Sequence, residues 1–242
     1  MLGNSVVLSL DQLTNHGDIT GVDTLTLSLG DSLNNIGTLR SDSLSVAAAE
    51  VNNRGDMQGI NTLQLNTTGL LDNAGVISGS NTLAVTAGDV KQRGTLEGKT
   101  VTLDAASLTN QGKMLGVDAL TFAIVGTVMN RGNVLTQGNG AVTAQQVDNS
   151  GLMQAGSVTL QADDIVNAGQ LLGIDALSIT AQHGLTNQQT GTLLTQGAAV
   201  LQAAQAANHG EWRAGNLTLQ AAHFSGAGRV QTEGNMDIAI ES

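Results

Sequence analysis

"LTNHGDITGVDTLTL" (residues 13–27) and "IVNAGQLLGIDALSI" (residues 165–179) follow one formula. In the first, an apolar Leu13 stands two before Asn15, Gly17 two after it, and Ile19 two further on. A Gly-x-Asp turn (Gly21, Asp23) and an apolar-x-apolar step (Leu25, Leu27) close the phrase. The Asn-x-Gly element recurs at Asn15, Asn35, Asn53, Asn73, Asn110, Asn130, Asn149, Asn167 and Asn208. Gln92 and Gly226 fill two further slots, and Asn187 fills another with two extra residues before Gly191. That makes twelve units at intervals of 18–21 residues.

A fixed period near 19 residues is the mark of a solenoid. Within each unit the apolar residues alternate with polar ones over three to five positions and are broken by Gly and Asn. Such period-two runs read as short strands, and no 3.6-residue periodicity is sustained. Strands this short bury no face alone, so each unit must stack on its neighbours. The expected fold is all-β: a right-handed parallel β-helix of about twelve coils. A leucine-rich repeat has a similar period but needs a helical or 3₁₀ back segment, and here that half is Thr, Ser, Gly and Val. One β-helix is expected across residues 1–242, with coils from about 13 to 240. Its first residues, "MLGNSVVLSL", lack the basic region and cleavage site of a signal peptide. They suggest a piece cut from a much longer exported protein.

A second rhythm runs through the units. "MLGVDAL" (114–120) returns as "LLGIDAL" (171–177), and "AGSVTLQA" (155–162) as "AGNLTLQA" (214–221). Coils resemble each other in threes, which points to triplet duplication.

Composition fits this frame. The 242 residues contain 31 Gly and no Pro, so every strand residue keeps its backbone donor, and the glycines suggest many positive-φ positions or tight turns. Asn or Asp in the Gly-x-Asp turns would tolerate left-handed geometry. Net charge is −11, and from Gly132 through Trp212 there is no Lys or Arg. Nucleic acid is therefore excluded as a partner, since phosphate binding needs clustered cations. With no Cys, disulfides and thiolate chemistry are absent. No 18-residue apolar run exists, so no membrane-spanning helix is expected.

The phrase L-x-N-x-G-x-I-x-G followed by x-x-L-x-L resembles the filamentous haemagglutinin repeats of two-partner-secreted bacterial exoproteins. That group includes haemagglutinin adhesins and contact-dependent growth inhibition effectors. The resemblance covers roughly residues 13–240. It implies a secreted filament at the bacterial cell surface, exported by a partner outer-membrane transporter and projecting toward a receptor on a neighbouring cell. Without Cys the chain forms no disulfide that would obstruct unfolded export.

Site chemistry is sparse. The Asn column (Asn15, Asn35, Asn53, Asn73, Asn110, Asn130, Asn149, Asn167) reads as a stacked amide ladder rather than a ligand row. The acidic residues lack the nonapeptide of calcium-binding β-rolls, so no metal or other cofactor is expected. Asp163 and Asp164 are adjacent, and in a strand they point apart rather than flanking one glycosidic bond. His16, His183, His209 and His223 show no ligand spacing, and Trp212 occupies a slot filled elsewhere by Ile, Leu or Met. A Thr-rich outward column (Thr26, Ser45, Gln64, Ala84, Thr102, Thr121, Thr143, Thr159, Ser178, Thr218) resembles an ice-binding ladder, but it also suits a solvated β-face.

The expected function is that of a non-enzymatic filament segment that adheres to or recognises a target cell. A passive stalk is the alternative, and a polysaccharide-active β-helix enzyme stands third. Departures from a repeat map to exposed loops. Candidate partner-binding turns are therefore Gln137 and Asn139 in "TQGNGAV", Gln188 and Gln189 in "NQQTG", and Gln196 in "TQGAAV".

Overall fold

The computed structural model describes residues 1–241, and among them are twenty-three strands and no helix. The chain divides into two compact units, Met1–Ala119 and Leu120–Ser242. Each is a stack of turns joined by parallel ladders, and together they carry thirteen turns, six in the first and seven in the second.

Each turn has three strand segments. The first, here the asparagine face, ends in the repeat's Asn, as in Leu13–Asn15, Ser32–Asn35 and Glu50–Asn53. A short face and a long face follow and often run together as one bent strand, as in Asp18–Leu29 and Asp56–Thr67. The bend falls where the register shifts: the interval Thr20 to Thr24 lies against Arg40 to Ser43. Turns with the three-residue Gly-x-Asp corner thus stack on turns with a shorter one.

Inward positions form continuous apolar columns. In the first unit Ile19 pairs with Leu39, Leu39 with Met57, Met57 with Ile77 and Ile77 with Leu96 on the short face. On the long face Leu27, Val46, Leu65, Val85 and Leu103 stack in the same way. All ten are buried. The second unit repeats the pattern with Val134, Met153, Leu171, Leu193 and Trp212. Aliphatic columns suit a parallel coil because each side chain meets a near-identical one above and below, and packing density is kept without large rings.

One turn escapes the Asn-x-Gly count. The strand Leu2–Leu10 pairs in parallel with Asp18–Leu29 and forms a first long-face rung.

The glycines have a different reason from the one expected. Gly226, at φ 113°, is the one described glycine at positive φ, and no described non-glycine residue is there. The Asn and Asp of the Gly-x-Asp turns are therefore not left-handed. What the Asn-x-Gly glycines supply is room: a Cβ on Gly37 would collide with the carbonyl oxygen of Gly17 in the preceding turn. Corner backbones stack as closely as strands do, with Ile36 N and Gly37 N both donating to Asn15 O at 2.8 and 3.0 Å.

Candidate functional site

The amide column is the most regular polar feature. In the first unit Asn15 Nδ2 donates to Asn35 Oδ1, Asn35 to Asn53, Asn53 to Asn73 and Asn73 to Gln92 Oε1, each at 2.8 Å. In the second, Asn130, Asn149 and Asn167 each donate to the next amide at 2.8 Å, and Asn187 donates to Asn208 at 2.9 Å. The same nitrogens reach backbone carbonyls, as Asn53 does to Gly55 at 3.0 Å and Val76 at 3.1 Å. Asn110 accepts from Gly112 N at 3.2 Å. These amides are buried, with donors and acceptors turned on one another and on the backbone. Gln92 keeps the acceptor role and donates to Lys113 O at 3.2 Å.

The irregular turns sit elsewhere. Gln137 is exposed between strands Asn133–Thr136 and Asn139–Thr143, and exposed Asn139 opens the second of these opposite Ser157. Gln196 is exposed between Thr192–Thr195 and the strand Ala198–Asn208. Both turns are built alike: Thr136 and Thr195 are buried where most turns have Gly, Ser or Ala, and each hydroxyl accepts from a glycine N two residues on, at 3.3 and 3.1 Å. These two turns share the corner between the short and long faces.

Gln188 and Gln189 lie on a different corner, after the asparagine face. Their two extra residues form a turn in which Gly191 N donates to Gln188 O at 2.8 Å and Thr190 Oγ1 donates to Ala168 O at 2.7 Å. Asn187 still reaches Gly191 O at 2.9 Å, so the ladder passes through the insertion. The five candidate residues are thus all exposed but fall into two groups, Gln137, Asn139 and Gln196 on one corner and Gln188 and Gln189 on another.

Trp212 is buried in its core slot between Leu193 and Val230, and its ring stacks on Phe224 with centroids 5.6 Å apart. Its Nε1 is buried and has no hydrogen-bond partner, which marks the ring as a filler of space rather than a polar contact. Asp164 faces His183 at 3.7 Å, both well exposed. Among the described residues no three His, Cys, Asp or Glu side chains gather as metal ligands, and no helix is long and apolar enough to cross a membrane.

The outward long-face column differs from the spacing-based assignment at one rung. Ala141, not Thr143, stands opposite Thr159, and Thr143 lies opposite Gln161. The long-face strand begins at Asn139, directly after Gly138 and opposite Ser157, so the outward column passes through Ala141. Val200 stands opposite Ser178 and fills the rung that the Thr pattern leaves out.

Stacked amide and aliphatic columns on parallel turns define a filamentous haemagglutinin-type repeat segment, of the class carried by two-partner-secreted exoproteins. The chain is 53% identical over 138 residues to a deoxyribonuclease CdiA from Dickeya dadantii (strain 3937), a stretch that is 56% of this chain and 4% of that protein. It is 31% identical over 218 residues to a tRNA nuclease CdiA from Escherichia coli (strain NC101), covering 89% of this chain and 6% of the relative. A 16S rRNA endonuclease CdiA from Enterobacter cloacae matches at 28% identity over 100% of this chain and 7% of the relative. The chain's homologues are thus CdiA contact-dependent growth inhibition proteins, which are secreted and surface-exposed. It spans well under a tenth of the length of these relatives. No family model matches the chain, and no solved structure does.

Proposed function

We propose that this chain is a non-enzymatic β-helical segment that recognises a receptor on the surface of a target cell. The observation that carries this reading is the confinement of irregularity. The three turns that break the repeat, around Gln137, Gln188 and Gln196, all lie in the second unit, and all expose amide side chains on corners that leave the ladders intact. A frame that keeps its core while varying its exposed turns is the usual arrangement for recognition.

The partners of this reading are an outer-membrane or other surface receptor on a neighbouring cell and an outer-membrane transporter for the longer protein. Nuclease activities named for the relatives are theirs, and the segment itself carries no catalytic constellation in this proposal. Purified chain should bind target cells saturably and block attachment of cells that display the longer protein. Restoring Asn-x-Gly by deleting Gln188 and Gln189 should weaken that binding. If the wild-type chain neither binds nor competes, the passive stalk remains; the uninterrupted first unit already fits a spacer.

A further inference from the structure

We propose that the long face of the second unit, with the trough along its edge, binds a linear uncharged glycan. The inference deepens the recognition reading by naming a ligand class, and it rests on that reading for its biological setting.

The first observation is the exclusion of charge. On the five rungs from Asn139 to Gln220 the long face presents fifteen outward positions in register, and none is charged. They are Thr, Ser, Ala, Gln and Asn apart from Val200. Most other charges of the second unit sit on other surfaces, for example Asp148, Asp164, Asp175, Glu211 and Arg213, and Asp237 stands on the long face one rung beyond, opposite Thr218. In a chain of net charge −11 this is a segregated surface rather than an even one.

The second observation is shape. Where the long face turns toward the asparagine face, its last inward residue is small in successive turns: Ala181, Ala203 and Ala221. Thr180, Gln202 and Gln220 stand beside them on the outward side. The result is a trough of about 450 Å³ that crosses three rungs along the stacking direction and is bounded at one end by Glu241. The first unit has a similar trough of about 380 Å³ on the same corner, with Ala48 and Thr67 on its floor and Asn66 and Thr86 at its side.

Chemistry narrows the occupant. Amides and hydroxyls can both donate and accept, which matches the hydroxyls of a sugar chain. An anionic polymer or nucleic acid would find no cation there, since Lys and Arg are absent from Gly132 through Trp212. A membrane needs apolar area that this face lacks. A second copy of the chain is disfavoured because Ser and Ala are depleted in protein interfaces. Strand addition by a peptide needs an open edge, and the backbones of these strands are already paired on both sides. A linear neutral glycan needs only a polar, uncharged and elongated surface.

The test is affinity electrophoresis of the whole chain in gels containing amylose, mannan or a soluble β-glucan, with alginate and dextran sulfate as anionic counterparts. Mobility is compared with that in a polymer-free gel. Retardation by at least one neutral polymer is expected. It should weaken about tenfold in Gln202→Ala/Gln220→Ala, which removes two hydrogen-bonding side chains, and more in Gln202→Glu/Gln220→Glu. Thr186→Glu on the asparagine face should leave it unchanged. Circular dichroism and Trp212 fluorescence establish that each variant is folded. No retardation by any neutral polymer, stronger retardation by the anionic ones, or indifference to the double substitutions would overturn the proposal. Parallel cell binding separates the two readings: cell binding without glycan retention removes this inference alone, and glycan retention without cell binding removes target-cell recognition.

Discussion

The two units share one frame and differ in where they depart from it. In the first, the amides from Asn15 to Gln92 follow at 18 to 20 residues with nothing inserted, and the hydroxyls of Ser5, Thr24, Ser43, Thr62, Thr82 and Thr100 stack in register on the long face. Six of the nine Lys and Arg are there, and none of the three aromatic residues is. The second unit holds Phe122, Trp212 and Phe224, both Thr-Gln-Gly corners and the two-residue expansion after Asn187. Yet its amide ladder has the same 2.8–2.9 Å spacing. Corners and outward positions can therefore change while inward columns cannot, because each inward residue is fixed by the turns above and below. Regularity marks what the fold needs, and departures mark what is free for other uses.

The sharpest way to break that comparison is at the aromatic core of the second unit. Trp212→Ala should destabilise by about 3–5 kcal/mol, the cost of emptying a large buried site. Trp212→Leu restores the residue type found at Leu171 and Leu193, removes an indole N–H without a partner and leaves a smaller cavity, so it should cost clearly less than Trp212→Ala. Denaturant unfolding followed by circular dichroism measures both. Equal losses for the two substitutions would mean that the ring makes contacts beyond filling space.

Next comes the ladder. Asn53→Ala removes an acceptor from Asn35, whose Nδ2 keeps Gly37 O and Asp56 O, and removes the ladder donor to the buried Asn73 Oδ1, at a cost of roughly 1–3 kcal/mol. Asn53→Gln should cost less, since Gln92 shows that the longer amide still accepts from the turn below. Hydrogen exchange should show lost protection in the turns around residue 53, with the second unit unchanged, because stacked turns depend chiefly on their neighbours. Deleting Gln188 and Gln189 should change stability by well under 1 kcal/mol, since surface loop length costs little, while cell binding falls. A large loss of stability would show that this expansion serves the frame.

Much of this was legible in the sequence because a stack repeats its constraints. The amide column demands the same residue every turn, and the apolar columns leave Leu, Ile, Val or Met at fixed offsets. Other features leave no such trace. The rung at Leu2–Leu10 lies outside the Asn-x-Gly count, and the start of the long-face strand at Asn139 is fixed only by its pairing with Ser157. The expected left-handed glycines were a misjudged cause: close approach of stacked carbonyls needs Gly as firmly as a positive φ does. Charge exclusion from the long face emerges only when register assigns each residue to a side. Trp212 and Phe224 meet only because neighbouring turns stack.

The smallest effect lies in the charges of the first unit. Arg93 Nη2 donates to both carboxylate oxygens of Asp72 at 2.5 and 2.6 Å, bridging adjacent turns on the asparagine side. Its side chain is 48% exposed, so water and salt screen most of the attraction. Arg93→Gln should therefore cost about 0.5 kcal/mol or less at low ionic strength, and less again in 0.5 M salt, where the Debye length is only about 4 Å. The same substitution at Arg213, whose nitrogen lies 3.7 Å from Glu233, beyond hydrogen-bond reach, should do less still. The measurement is the denaturation midpoint of each variant across a salt series. A salt-independent loss of 2 kcal/mol or more at Arg93 would place that pair among the structural constraints, beside the amide ladder, and would move the boundary between frame and free surface outward by one residue.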